Sequence, residues 1–121
     1  MKILIVDDDE SIREIVKIML KEHEVFEAAS GLEGLELYKK IKPDLVLMDI
    51  SMPGMDGVET TREILRFDPN AIIVGITAFA RSRGKELLNA GAKGILEKPF
   101  TKKTLKELIE QIEAKSMVNK N

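Results

Sequence analysis

The sequence contains no cysteine, no tryptophan, a single tyrosine and a single histidine. Without thiols there is no disulfide framework, no zinc–thiolate centre and no cysteine nucleophile. That fits a reducing compartment. No apolar run approaches the roughly 20 residues of a membrane span. The first residues also lack the charged-then-apolar layout of a signal peptide. A cytoplasmic location without membrane insertion is therefore expected. A charge excess is missing as well. Lys and Arg number 19 against 21 Asp and Glu, for a net charge of -2. This leaves no broad basic footprint for direct nucleic-acid binding. There is no internal repeat, low-complexity tract or linker.

What remains is an ordinary globular composition, with 44% hydrophobic and 33% charged residues in 121. That is one domain, residues 1–121, with enough chain to bury a sizeable core. The tail after Glu113, "AKSMVNKN", shows no pattern, and 116–121 is expected to fray.

Apolar runs alternate with amphipathic segments. Ile3–Val6, Leu45–Met48 and Ile72–Ile76 are apolar almost throughout, as expected for parallel strands covered on both faces. Val25–Phe26 and Ile95–Leu96 are shorter and rest mainly on the alternation. Between them run helical stripes: Ile12, Ile15, Val16, Met19 and Leu20; Leu32, Leu35 and Tyr38; Val58, Thr61, Ile64 and Leu65; Leu105, Leu108, Ile109 and Ile112. The segment Ala80–Ala90 is the poorest helix, its apolar face being mostly Leu87 and Leu88. Five strand–helix units predict an α/β fold, a doubly wound five-stranded parallel sheet with helices on both faces. Such sheets bind ligands outside the carboxyl ends of their strands.

The residues at those ends carry the chemistry. The first strand runs into Asp7, Asp8 and Asp9. The third ends in Asp49, within "LVLMDISMPGMDG". The fourth ends in Thr77 and the fifth in Lys98. Each has an ordinary reading taken singly. Asp9 suits a helix N-cap, Asp56 suits turn chemistry, threonine favours strands, and lysine is usually a solvated charge. A cap needs one carboxylate, however, and three adjacent ones repel each other. Their convergence with a hydroxyl and an ammonium on one rim points to a shared site. Oxygen ligands alone suit a hard cation, with Mg²⁺ the expected one. An Asp carboxylate can accept a phosphoryl group, whose oxygens the cation, Lys98 and Thr77 would stabilise. The small Ala78 leaves room beside Thr77.

The set "ILIVDDDE", "DLVLMDISMPGMDG", "ITAFA" and "GAKGILEKPF" resembles response-regulator receiver domains, the CheY-like family. The resemblance spans nearly the whole chain and implies a flavodoxin-like strand order of 2-1-3-4-5. It implies that Asp49 is phosphorylated from the phosphohistidine of a histidine kinase or histidine phosphotransfer protein. Asp8, Asp49 and the backbone carbonyl of Ser51 would hold Mg²⁺ directly, with Asp7 acting through a metal-bound water. Lys98 would pair with phosphoryl oxygens, Thr77 would report them, and the Lys98–Pro99 bond would be cis. Such a domain is a phosphoacceptor rather than an enzyme acting on other substrates. Its output face would be the fourth helix, fifth strand and fifth helix, with Arg81, Arg83, Lys85, Lys102, Lys103 and Lys106. The state expected is a monomer or a phosphorylation-dependent dimer. One departure is Ile95, at a switch position that is aromatic in many receivers. A shift of the loop at Ala78 and Phe79 is expected to replace an aromatic rotamer switch. Phe79 would also shield the acyl phosphate from water.

Two rivals belong to other classes. Asp7-x-Asp9 superficially fits a haloacid-dehalogenase-type phosphatase, but the late acidic pair is missing and Asp49 would have no role. A flavodoxin-like binder would need a glycine- or hydroxyl-rich phosphate loop after the first strand, where the acids stand instead. His23 reads as a surface residue. A single-domain regulator of chemotaxis or of a phosphorelay is expected, with a receiver cut from a longer protein as the alternative.

Overall fold

The structure, a computed structural model, describes residues 1–78 and 80–119, with the side chains of 80–82 and 116–119 excepted. Five strands alternate with five helices: β1 (Lys2–Val6), α1 (Glu10–Met19), β2 (Glu24–Ala28), α2 (Gly31–Ile41), β3 (Leu45–Asp49), α3 (Gly57–Phe67), β4 (Ile73–Thr77), α4 (Ala80–Asn89), β5 (Gly94–Glu97) and α5 (Lys102–Asn119). The strands form one parallel sheet in the order β2-β1-β3-β4-β5. Both the expected fold class and the strand order are observed.

The three apolar runs occupy the centre because they can be covered twice. Ile3, Ile5, Leu45, Leu47, Val74 and Ile76 face Val16 of α1, Leu20 at its C-cap, and Leu105 and Ile109 of α5. The alternate residues Leu4, Val6, Val46, Met48 and Ile73 face Tyr38 of α2 and Ile64 of α3. Alternating side chains of each central strand thus enter opposite cores.

The helix starts are chemically set. Asp9 caps α1 by accepting the Ser11 N–H, Ser30 caps α2 through Glu33, and Asp56 caps α3 through Glu59. Asp56 is therefore a helix cap rather than only a turn residue. Thr101 and Thr104 exchange side-chain and backbone hydrogen bonds at the start of α5.

Several stripe assignments change. Ile15 is 43% exposed, Leu32 56% and Leu88 47%, so these three leave the core while Val16, Tyr38 and Leu87 stay in it. The α4 face thus narrows to Leu87, seated against Gly75 of β4, where a Cβ would overlap its side chain. The segment expected to be patternless after Glu113 continues α5 to Asn119. It contains neither Gly nor Pro, and Ala, Lys and Met favour the helical backbone. Residues 120 and 121 lie outside the described residues. No helix among the described residues is long and apolar enough to cross a membrane.

Candidate functional site

The carboxyl ends of β1, β3, β4 and β5 bring Asp7, Asp49, Thr77 and Lys98 to one rim. Asp7, Asp49 and Thr77 are buried. Asp49 ends β3 opposite Ile76, and Thr77 ends β4 opposite Glu97. The backbone N–H of Lys98 donates to the carbonyl of Thr77 at 2.9 Å, which anchors the lysine one residue past β5. The Lys98–Pro99 peptide is cis.

Lys98 Nζ lies 3.2 Å from Asp7 Oδ2 and 3.2 Å from Asp49 Oδ1. Asp7 Oδ1 accepts the Asp9 N–H at 2.9 Å. Asp8 is exposed beside them, and one carboxylate oxygen each of Asp7, Asp8 and Asp49 falls within 4.8 Å of the others. Burial, and then the Asp7 carboxylate, push the Asp49 carboxyl up to about 6. Lys98 opposes the rise and Asp8 adds to it. Burial also works against the Lys98 ammonium, but Asp49 and Asp7 outweigh it and hold its pKa above the ordinary lysine value. One ammonium thus faces a three-carboxylate cluster in which Asp49 is reluctant to ionise. A hard divalent cation fits this all-oxygen donor set and would relieve the repulsion.

The loop from Asp49 to Asp56 carries Ser51, which is exposed two residues past Asp49. Its return is set by Gly57, whose N–H donates to the Ile50 carbonyl at 2.9 Å. A Cβ at Gly57 would overlap the Asp49 carbonyl oxygen. The Asp-Gly pair, legible as a turn, is thus also what lets α3 start against the phosphoacceptor candidate.

The remaining expected residues have mixed outcomes. Ile95 is half-buried beneath α4, packed with Leu87 and Ile50. Phe79 lies outside the described residues, as does the side chain of Arg81. Arg83 donates to Asp56 at 3.3 Å and to Glu86 at 3.0 Å, and Lys106 pairs with Glu22 at 3.0 Å. Lys85, Lys102 and Lys103 are exposed. His23 is partly buried, its Nδ1 3.2 Å from the N-terminal amine and away from the rim. Sequence reasoning missed Arg13 and Glu27. Arg13 Nη1–H donates to the Asp7 carbonyl at 2.8 Å and Nε–H to Glu27 at 3.0 Å. An acid in a strand and an arginine one turn past a helix cap were the available signals.

Asp9 weighs against the phosphatase reading, because one of its carboxylate oxygens caps α1. A cleft of about 430 Å³ lies elsewhere, lined by Tyr38, Pro43, Asp44 and Asp68 among others.

Fold and site together define a flavodoxin-like α/β domain with an acidic rim, able to accommodate a cation, countered by one lysine. The sequence pattern of the response regulator receiver domain matches residues 3–110. This chain belongs to that family, the receiver domains of two-component regulators. It is 40% identical over 114 residues to a chemotaxis protein CheY of Halobacterium salinarum, covering 92% of this chain and 95% of that protein. To a chemotaxis protein CheY of Thermotoga maritima it is 38% identical over 115 residues, covering 92% and 96%. The crystal structure of a CheY-like receiver domain protein from Methanospirillum hungatei superposes with a TM-score of 0.88 at 32% identity, covering 96% of each chain.

Proposed function

We propose that this receiver accepts one phosphoryl group on Asp49 from the phosphohistidine of a histidine kinase or histidine phosphotransfer protein. One observation carries the reading: a buried Asp49 lies within hydrogen-bonding distance of Lys98 and shares a cation-sized cluster with Asp7 and Asp8. Asp49 supplies the attacking oxygen. An O–P bond forms as the P–N bond breaks, and the electron pair leaves on the imidazole nitrogen. Asp8, Asp49 and the Ser51 carbonyl would hold Mg²⁺, and Asp7 would act through water. The cation, when bound, supplies positive charge to the phosphoryl oxygens and to the carboxylates.

Lys98 exchanges its contact with Asp49 for a phosphoryl oxygen, and Thr77 donates to another. Phosphorylation replaces one charge with more charge and three acceptors, which supplies the free-energy difference for a switch. The switch element is α4. Leu87 holds its apolar face, Arg83 ties it to the cap of α3, and Ile95 packs beneath it. The partner meets the face of α4, β5 and α5, where Lys85, Lys102 and Lys103 are exposed. The similarity to CheY proteins along nearly their full length favours a receiver of the chemotaxis type.

The test is transfer from a purified, phosphorylated histidine phosphotransfer protein to the wild type and to Asp49→Asn. Transfer to the wild type alone supports the proposal. Equal labelling of both overturns the assignment of Asp49. Steady release of phosphate from phosphomonoesters would favour the phosphatase instead.

A further inference from the structure

We propose that Arg13 is a positioning residue for the divalent-cation site, aiming the Asp7–Asp8 peptide from α1 and anchored in turn by Glu27 of β2. The inference rests on the Mg²⁺ reading above and names what holds that site in shape.

Asp7 is fixed at every polar atom. Its N–H donates to the Ala28 carbonyl at 3.1 Å, its Oδ1 accepts from Asp9 N–H, and its Oδ2 faces Lys98. Its carbonyl accepts from Arg13 Nη1–H at 2.8 Å. That carbonyl belongs to the Asp7–Asp8 peptide, whose plane sets the direction in which Asp8 leaves the strand. Asp8 needs such help. Among the described residues no hydrogen bond or ion pair holds its exposed side chain. Its aim therefore depends on its backbone.

Arg13 is itself held. Its side chain is 15% exposed, and its Nε–H donates to Glu27 Oε1 at 3.0 Å. The other oxygen of Glu27 takes Lys17 Nζ at 2.9 Å. Glu27 directly precedes Ala28, the residue that accepts the Asp7 N–H. One guanidinium thus spans the β1–α1 loop and the adjacent strand, using two donors that diverge in a rigid plane. A lysine ammonium, a point charge on a flexible stem, could reach one partner without fixing the other. Partners that orient first-coordination ligands typically account for about 10- to 100-fold in metal affinity.

The experiment is a Mg²⁺ titration of the full chain, followed by amide shifts in two-dimensional NMR. The proteins are wild type, Arg13→Met, Arg13→Lys, Glu27→Gln and the double variant Arg13→Met/Glu27→Gln. Urea midpoints without metal are measured alongside. Arg13→Met is expected to weaken Mg²⁺ binding about 10-fold, and Arg13→Lys to recover part of the loss. Glu27→Gln should weaken it less and add nothing on the Arg13→Met background, because it acts through the arginine. Arg66→Met, which breaks a surface ion pair with Glu63, serves as a control for a general loss of charge. Unchanged affinity in Arg13→Met, or an equal loss in Arg66→Met, overturns the inference. Should Arg13→Met fail to fold, Glu27→Gln decides: unchanged affinity overturns it and weakened affinity supports it. A wild type that binds no Mg²⁺ removes the metal reading itself, and this inference with it.

Discussion

Lys98 Nζ stands 3.2 Å from Asp49 Oδ1 although the two residues lie 49 positions apart in the chain. The contact joins the ends of β3 and β5 across β4. It leaves one cation facing three carboxylates, so the site is electrostatically under-compensated in the absence of metal.

The first consequence is a pH dependence. The Asp49 carboxyl is raised from 3.8 to about 6, so the folded state binds this proton more tightly than the unfolded state does. The resulting destabilisation is absent below about pH 4, grows as the pH rises through about 6, and is complete above it. Its size is on the order of 1–3 kcal/mol. Asp49→Asn should therefore unfold at higher urea than the metal-free wild type at pH 7.5, and at the same urea near pH 4. A variant less stable than wild type at pH 7.5 contradicts this.

Lys98→Met removes the only ammonium bonded to Asp7 and Asp49 among the described residues. Two buried carboxylates then lose their partner. The lysine side chain is 23% exposed, which tempers the loss to about 1–3 kcal/mol. Urea unfolding at pH 7.5 without metal should show the drop. Asp49→Asn placed on Lys98→Met should restore most of it.

Gly57→Ala places a methyl group into the Asp49 carbonyl. Either α3 or the end of β3 must move, at about 2–4 kcal/mol, in the range of overpacked or strained core sites. Thermal unfolding and phosphoryl uptake should fall together. An alanine variant with wild-type stability would mean that the approach is not close.

Thr61 Oγ1 on α3 is buried without a hydrogen-bond partner among the described residues. Thr61→Val keeps the shape and removes the unmet hydroxyl. Stability should rise by about 1 kcal/mol, measured as a shift in urea midpoint with the slope unchanged.

The sequence was most legible where burial is two-sided. The runs of β1, β3 and β4 are apolar because both faces are covered, and they were read to within a residue or two. The edge strand β2 was harder. Glu24 and Glu27 flank its short apolar pair, Val25 and Phe26, and Glu27 is held by Arg13 and Lys17 from α1. Helical spacing identified the buried face of each helix but not its width, so Ile15 and Leu32 fell on the wrong side. The rim residues were legible because each ends or directly follows its strand in sequence. Arg13 was not, since what matters is a bond to a backbone carbonyl six residues earlier, which residue type alone does not announce.

The central claim is that Asp49 is a cation-dependent phosphoacceptor. The most direct measurement is the intact mass of the chain after incubation with acetyl phosphate, with and without Mg²⁺, with Asp49→Asn in parallel. The account predicts a single added phosphoryl group on the wild type, only with Mg²⁺, and none on the variant. Uptake without Mg²⁺, equal uptake by Asp49→Asn, or no uptake by the wild type would contradict it.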